Sequence, residues 1–189
     1  MHVTADVPSV VPRSVLKKPQ PLIMNVGDVI LYPTFGGRCR NPYFALKEKD
    51  RMGTGSPSWS QDCWAAMIIV DCGRAFGFLS WYYPLTIVTA TLHRPNLDEL
   101  KESSWRLARA GTCSAVHFKR MEMEKIGTVQ IDDAKLRALF PKMKPGTSQA
   151  VADISIANGL DVQPPLGVGQ PSNTISGLSA LLTSGELAN

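Results

Sequence analysis

The sequence predicts an α+β domain, a twisted and mainly antiparallel sheet with two or three helices packed on one side. Three observations predict it. Residues Trp64–Leu92 hold the densest run of β-branched and aromatic residues in the chain, broken by turn formers. Pro95–Ala110 carries a helix-start signal, an apolar stripe and a following glycine. Beyond it, Lys125–Ile131 reads as a strand and Asp132–Phe140 as a helix.

The central stretch divides into three expected strands. Met67–Val70 is short and β-branched, Cys72-Gly73-Arg74 supplies a turn, Ala75–Tyr82 is the second strand, and Leu85–Leu92 is the third, after Pro84. Residues Ala75–His93 contain no Asp, Glu, Lys or Arg, so the segment has to be weighed as a membrane span. A spanning helix needs roughly 20 predominantly apolar residues. This one is interrupted by Ser80, Thr86, Thr89 and Thr91 and has Pro84 at its middle, which favours a soluble β core and no membrane.

Ahead of that core, Leu22–Tyr32 is the first ordered element, with Gly27-Asp28 as a turn or bulge before a strand at Val29–Tyr32. Pro33–Pro42 reads as a loop with two arginines, Arg38 and Arg40, and Tyr43–Lys47 resumes an extended pattern. Met52–Gln61 is a Gly/Ser/Pro loop that displays Trp59, an aromatic either tucked back onto the sheet or offered to a partner.

After the core, Pro95 and Asn96 open the expected helix, Asp98 and Glu99 lie in its first turn, Arg106 and Arg109 in its last, and Gly111 stops it. Ser114–Met121 is a short helix and Lys125–Ile131 an edge strand. Asp132 or Asp133 caps the last helix and Pro141 ends it.

A length of 189 residues suits one domain with tails. All 20 Lys and Arg lie at or before Lys144, whereas residues 145–189 carry only Asp153, Asp161 and Glu186. The expected division is therefore a leader over 1–20, a domain over 21–144, and a Gly/Pro/Ser-rich tail over 145–189 with short helices. Val151–Leu160 and Ile175–Leu187 are the helix candidates, and the tail is expected to be mobile or ordered only against a partner. The four cysteines, Cys39, Cys63, Cys72 and Cys113, show no close pairing, and the N-terminus has no secretory pattern. Reduced thiols in a cytoplasm follow.

Chemistry is sparse. His93, Cys113 and His117 form the one candidate metal group, but because further ligands cannot be named, a buried thiol and a surface histidine is the favoured reading. Cys113, His117 and Asp98 can be written as a nucleophile, base and orienting acid. No GxSxG, HExxH, GxGxxG or Walker pattern occurs, and Gly53-Thr54-Gly55-Ser56 resembles a phosphate loop in composition only. No catalytic residue, metal or cofactor is assigned. Two basic clusters suit phosphate tracking: Arg38, Arg40, Lys47, Lys49 and Arg51 with Tyr43 and Phe44 interleaved, and Lys101, Arg106, Arg109, Lys119, Arg120 and Lys125. Glu48, Asp50, Glu102, Glu122 and Glu124 are mixed among them, which favours ordinary solvated faces.

Gly27-Asp28-Val29-Ile30-Leu31-Tyr32-Pro33 resembles the opening strand of the immunity protein 26 family, whose members begin with Gly-Asp, an apolar strand and a proline. The order that follows is similar across Val26–Phe140: a second strand after a Gly-rich loop, an apolar central sheet, and a late Ile126-Gly127 step. The usual glycine-aromatic second strand is replaced by Asn41-Pro42-Tyr43-Phe44. The resemblance implies a cytoplasmic bacterial protein that neutralises a toxin by occluding its active surface, without catalysis. In that role Trp59, Arg38, Arg40 and Tyr43 are the candidate partner-binding residues, and a basic inhibitor suits an acidic protein surface. A nucleic-acid-binding module is the alternative, and a small hydrolase the third reading.

Overall fold

A computed structural model describes residues 18–34, 61–75, 77–108, 110–141 and 174–183. They form an α+β domain built on a six-stranded sheet in which every pairing is antiparallel. The strands are β1 (Asp28–Thr34), β2 (Cys63–Ala75), β3 (Leu79–Ile87), β4 (Ser104–Leu107), β5 (Glu124–Thr128) and β6 (Thr174–Ser176), in the spatial order β5-β1-β2-β3-β4-β6. The helices are α1 (Leu97–Lys101), α2 (Ala115–Arg120) and α3 (Asp133–Leu139).

The central stretch makes two long strands where three were expected. Cys72-Gly73-Arg74 is not a turn but the last part of β2, paired with Trp81 and its neighbours. The chain reverses instead between Ala75 and Leu79, where Gly77 takes a φ of +75° with open space around it. Pro84 does not break β3, because the register shifts opposite it: Ile69 pairs with Pro84 and Asp71 with Tyr83, which leaves Val70 as the extra residue. A bulge absorbs the missing N–H of a proline inside a sheet. The Pro84 carbonyl is used, accepting from the Ala108 N–H at 3.0 Å.

Strand alternation sends side chains to two buried faces, and all seven residues of β1 are buried. Val29, Leu31, Ile68 and Leu85 point to one face, where Leu97 and Leu100 of α1, Leu136 of α3 and Trp105 cover them. Ile30, Tyr32, Met67 and Ile69 point to the other, where Met24, Cys113, Met121 and Phe118 of α2 pack. Helices were expected on one side only. A sheet apolar on both faces requires cover on both, and α2 with residues 22–24 supplies the second. The Tyr82 hydroxyl accepts from the Ile23 N–H at 2.9 Å and ties that segment down.

The helix expected over Pro95–Ala110 begins as read and ends early. Asn96 and Glu99 form a reciprocal capping box, each side chain accepting from the other residue's N–H at 2.9 Å. The helix closes after Lys101, and residues 104–107 become β4, paired to β3 and β6. Serine hydroxyls compete for backbone groups: Ser103 Oγ donates to the Glu99 carbonyl at 3.2 Å just where the helix ends. Trp105, wholly buried in β4, then donates Nε1–H to the Leu100 carbonyl at 3.1 Å. Strand pairing and burial of the indole outweigh helix propensity here.

The shorter elements fall where the sequence put them. Ser114 caps α2, Asp132 caps α3 through the Ala134 and Lys135 amides, and β5 lies at a sheet edge. Residues 174–183, read as part of a tail, complete the domain beyond the expected limit at Lys144. They form β6 and a 3-10 turn over Leu178–Ala180, and they bury Ile175, Leu178, Leu181 and Leu182 against α1, α3 and Trp105.

Candidate functional site at one end of the sheet

The four partner-binding residues expected from sequence, Arg38, Arg40, Tyr43 and Trp59, lie outside the described residues, in the connection from β1 to β2. The structure does describe where that connection leaves and returns. Thr34 and Cys63 are paired neighbours. Thr34 Oγ1 donates to Asp62 Oδ1 at 2.6 Å, and the Asp62 N–H donates to the Thr34 carbonyl at 3.0 Å. The two ends of the connection are thereby pinned side by side.

Next to this neck, Trp64 pairs with Pro33 on one side and exchanges two backbone hydrogen bonds with Thr91 on the other, at 2.7 and 2.8 Å. The chain leaving β3 therefore returns to the same end of the sheet. Its next residue, Leu92, is 85% exposed, the most exposed of the large hydrophobic residues among those described. The Arg94 guanidinium stands 5.9 Å from the centroid of the Trp64 ring and donates to Glu124 Oε2 at 2.7 Å. His93 Nε2 lies 3.6 Å from Glu99 Oε2. The exposed Leu92 and the Arg94–Trp64 contact thus lie at the end of the sheet that also carries the neck. Sequence reasoning placed Leu92 at the end of a strand and gave Arg94 no role; the available signal was an apolar residue immediately before His-Arg-Pro at a strand exit.

Among the described residues, the candidate groups Cys113, His117, Asp98 and His93 are not brought together. Cys113 is buried with the second face of the sheet, and its Sγ donates to the Ser114 carbonyl at 3.6 Å. Asp98 belongs to α1 on the first face, where it pairs with Lys101 at 3.2 Å. The trio of Cys113, His117 and Asp98 is therefore split by the sheet. His93, at the Trp64 end beside α1, is likewise not brought to Cys113, and among the described residues no cluster of His, Cys, Asp and Glu has the makings of a metal site. Burial pushes the Cys113 thiol up to about 12. Burial also raises Asp71, Cys72 and Tyr82, and burial with the nearby Arg120 lowers His117. Each of these groups is held toward its neutral form, as in packed interiors, and a thiol at about 12 supplies almost no thiolate at neutral pH.

The described members of the second basic cluster are divided in the same way, and Arg109, like the first cluster over 38–51, lies outside the described residues. Lys101 and Arg106 lie with α1 and β4, Lys119 and Arg120 on α2 at the opposite face, and Lys125 is bound to Asp28 at 2.7 Å. Among the described residues, no helix is long and apolar enough to cross a membrane. No protein family, curated protein or solved structure matches this chain.

Proposed function

We propose that this chain is a non-catalytic protein-binding domain, of the kind that neutralises a bacterial toxin in the cytoplasm by occluding its active surface. The observation that carries the reading is the exposed Leu92 at the end of the sheet where Arg94 stands over Trp64. An exposed apolar residue, an aromatic and an arginine at one end of a sheet have the composition of interface anchors. The same end of the sheet carries the neck at which the connection holding Arg38, Arg40, Tyr43 and Trp59 in sequence leaves and returns. The resemblance of Gly27–Pro33 and Ile126-Gly127 to the immunity protein 26 family supports the same reading.

The nucleic-acid alternative requires a continuous basic track. The cluster between Lys101 and Lys125 is spread over both faces, and Lys101 and Lys125 are paired with Asp98 and Asp28. A hydrolase built on Cys113 loses its nucleophile to burial. Titration of mixed-sequence oligonucleotides at several salt concentrations separates the first two readings. The expected result is weak binding with a shallow salt dependence, and an affinity that falls steeply with salt would support the alternative.

A further inference from the structure

We propose that the groove formed by β4, residues 129–132 and α3 is an exchangeable peptide-binding site, occupied here by the chain's own residues 174–183. The segment is held by the interactions a bound peptide makes. Thr174, Ile175 and Ser176 add a strand to the outer edge of β4, opposite Arg106, Trp105 and Ser104. Gly177, at φ +81°, turns the chain and donates its N–H to the Ser103 carbonyl at 3.0 Å. The Leu181 carbonyl then accepts from the Asp132 N–H at 2.8 Å, and the Leu182 carbonyl accepts from Lys135 Nζ at 2.7 Å. The Thr183 N–H donates to the Gln130 carbonyl at 3.2 Å.

Four side chains enter the core: Ile175 is 6% exposed, and Leu178, Leu181 and Leu182 are each 1% exposed. Thr174, Ser176, Ser179 and Ala180 face outward, and the segment has no charged residue. Recognition therefore rests on strand addition and apolar spacing, in the pattern Ile-x-Gly-Leu-x-x-Leu-Leu. Because β6 is an edge strand, its departure breaks no pairing among the other five. Residues 142–173 separate it from α3, so the remaining strands do not depend on it for their connections. A partner segment with the same apolar spacing is the class of ligand that would enter by displacing it.

The test severs the segment after folding. A site-specific protease sequence is placed between Lys144 and Ser172 of the full chain, the folded protein is cut, and a fluorescent peptide spanning Thr174–Thr183 is added. The expected result is that the cut piece co-elutes with the body on gel filtration and is replaced by the fluorescent peptide, with an Ile175→Asp peptide weaker by about tenfold or more. Failure of the peptide to enter over days, or equal entry of the Ile175→Asp peptide, overturns the proposal. Should the cut chain aggregate, the uncut chain carrying Ile175→Asp and Leu182→Asp decides. A saturable rise in its Tm on adding the wild-type peptide supports the site, and no shift overturns it.

Discussion

The Arg94 guanidinium is centred 5.9 Å from the middle of the Trp64 ring, which joins the exit from β3 to the entry of β2 at a point where Leu92 stands in water. The arrangement is inexpensive to the fold. Arg94 and Glu124 are each about half exposed, so their ion pair is screened. Arg94→Ala is expected to cost about 1 kcal/mol or less in stability, from a weak surface ion pair and an exposed cation–π contact. Urea denaturation with an unchanged m-value checks this, and a much larger loss would make Arg94 a structural residue.

Trp105 is the opposite case, a fully buried indole whose Nε1–H satisfies the Leu100 carbonyl. Trp105→Ala is expected to cost about 3–5 kcal/mol through the cavity it leaves. Trp105→Phe keeps most of the volume and removes one hydrogen bond to a carbonyl that still accepts from the Ser103 N–H at 3.2 Å, for about 0.5–1.5 kcal/mol. Thermal or chemical denaturation of the two variants should rank them in that order.

Much of this architecture was legible in the sequence, and the failures have local causes. Helix starts were legible: the helices expected to open at Pro95-Asn96, at Ser114 and at Asp132 or Asp133 begin there, capped by Asn96, Ser114 and Asp132. Helix ends depend on what the next residues can pair with. Nothing near Trp105 discloses that β3 and β6 will take residues 104–107 as a strand. Pro84 and Gly73 look like breaks because a bulge at Val70, which lets β2 and β3 run on, is a property of the pair and not of either strand. Residues 174–183 look like tail because their apolar side chains find partners only far back in the chain. The same limit applied to the site: composition pointed to arginine and aromatic anchors, while the bridge of Thr91 to Trp64, which brings the exposed Leu92 to that end of the sheet, is a tertiary pairing.

Two glycines in positive-φ conformations should respond differently to alanine. At Gly77, φ is +75° and no atom stands within 4 Å of an added Cβ, so Gly77→Ala is expected to cost about 1–2 kcal/mol from backbone strain alone. At Gly27, φ is +88° and an added Cβ would overlap the Val129 carbonyl oxygen, which lies 2.2 Å away. Gly27→Ala should therefore cost more, about 3 kcal/mol, because the bond from the Val129 N–H to the Gly27 carbonyl must also shift. Comparable losses in the two variants, measured by denaturation midpoints, would contradict the assignment.

The buried thiol predicts an alkaline weakness. Cys113 is pushed from 9.0 up to about 12, so above pH 9 the unfolded chain releases a proton that the folded chain keeps. Unfolding is then favoured as pH rises: stability is fully retained below about pH 9 and declines between there and about 12. Cys72 and Tyr82, also raised by burial, act in the same direction. Cys113→Ser removes the thiol's share, so its denaturation midpoint should fall less between pH 8 and pH 10.5 than that of the parent, and parallel declines would contradict this origin.

The most direct measurement is calorimetric titration of this chain with the protein encoded by the adjacent reading frame, using the parent, Leu92→Asp and Trp59→Ala. A saturable one-to-one complex that each substitution weakens by about tenfold or more is the expected result. No complex, or one that both variants form as tightly as the parent, would contradict the proposed binding role of Leu92 and Trp59.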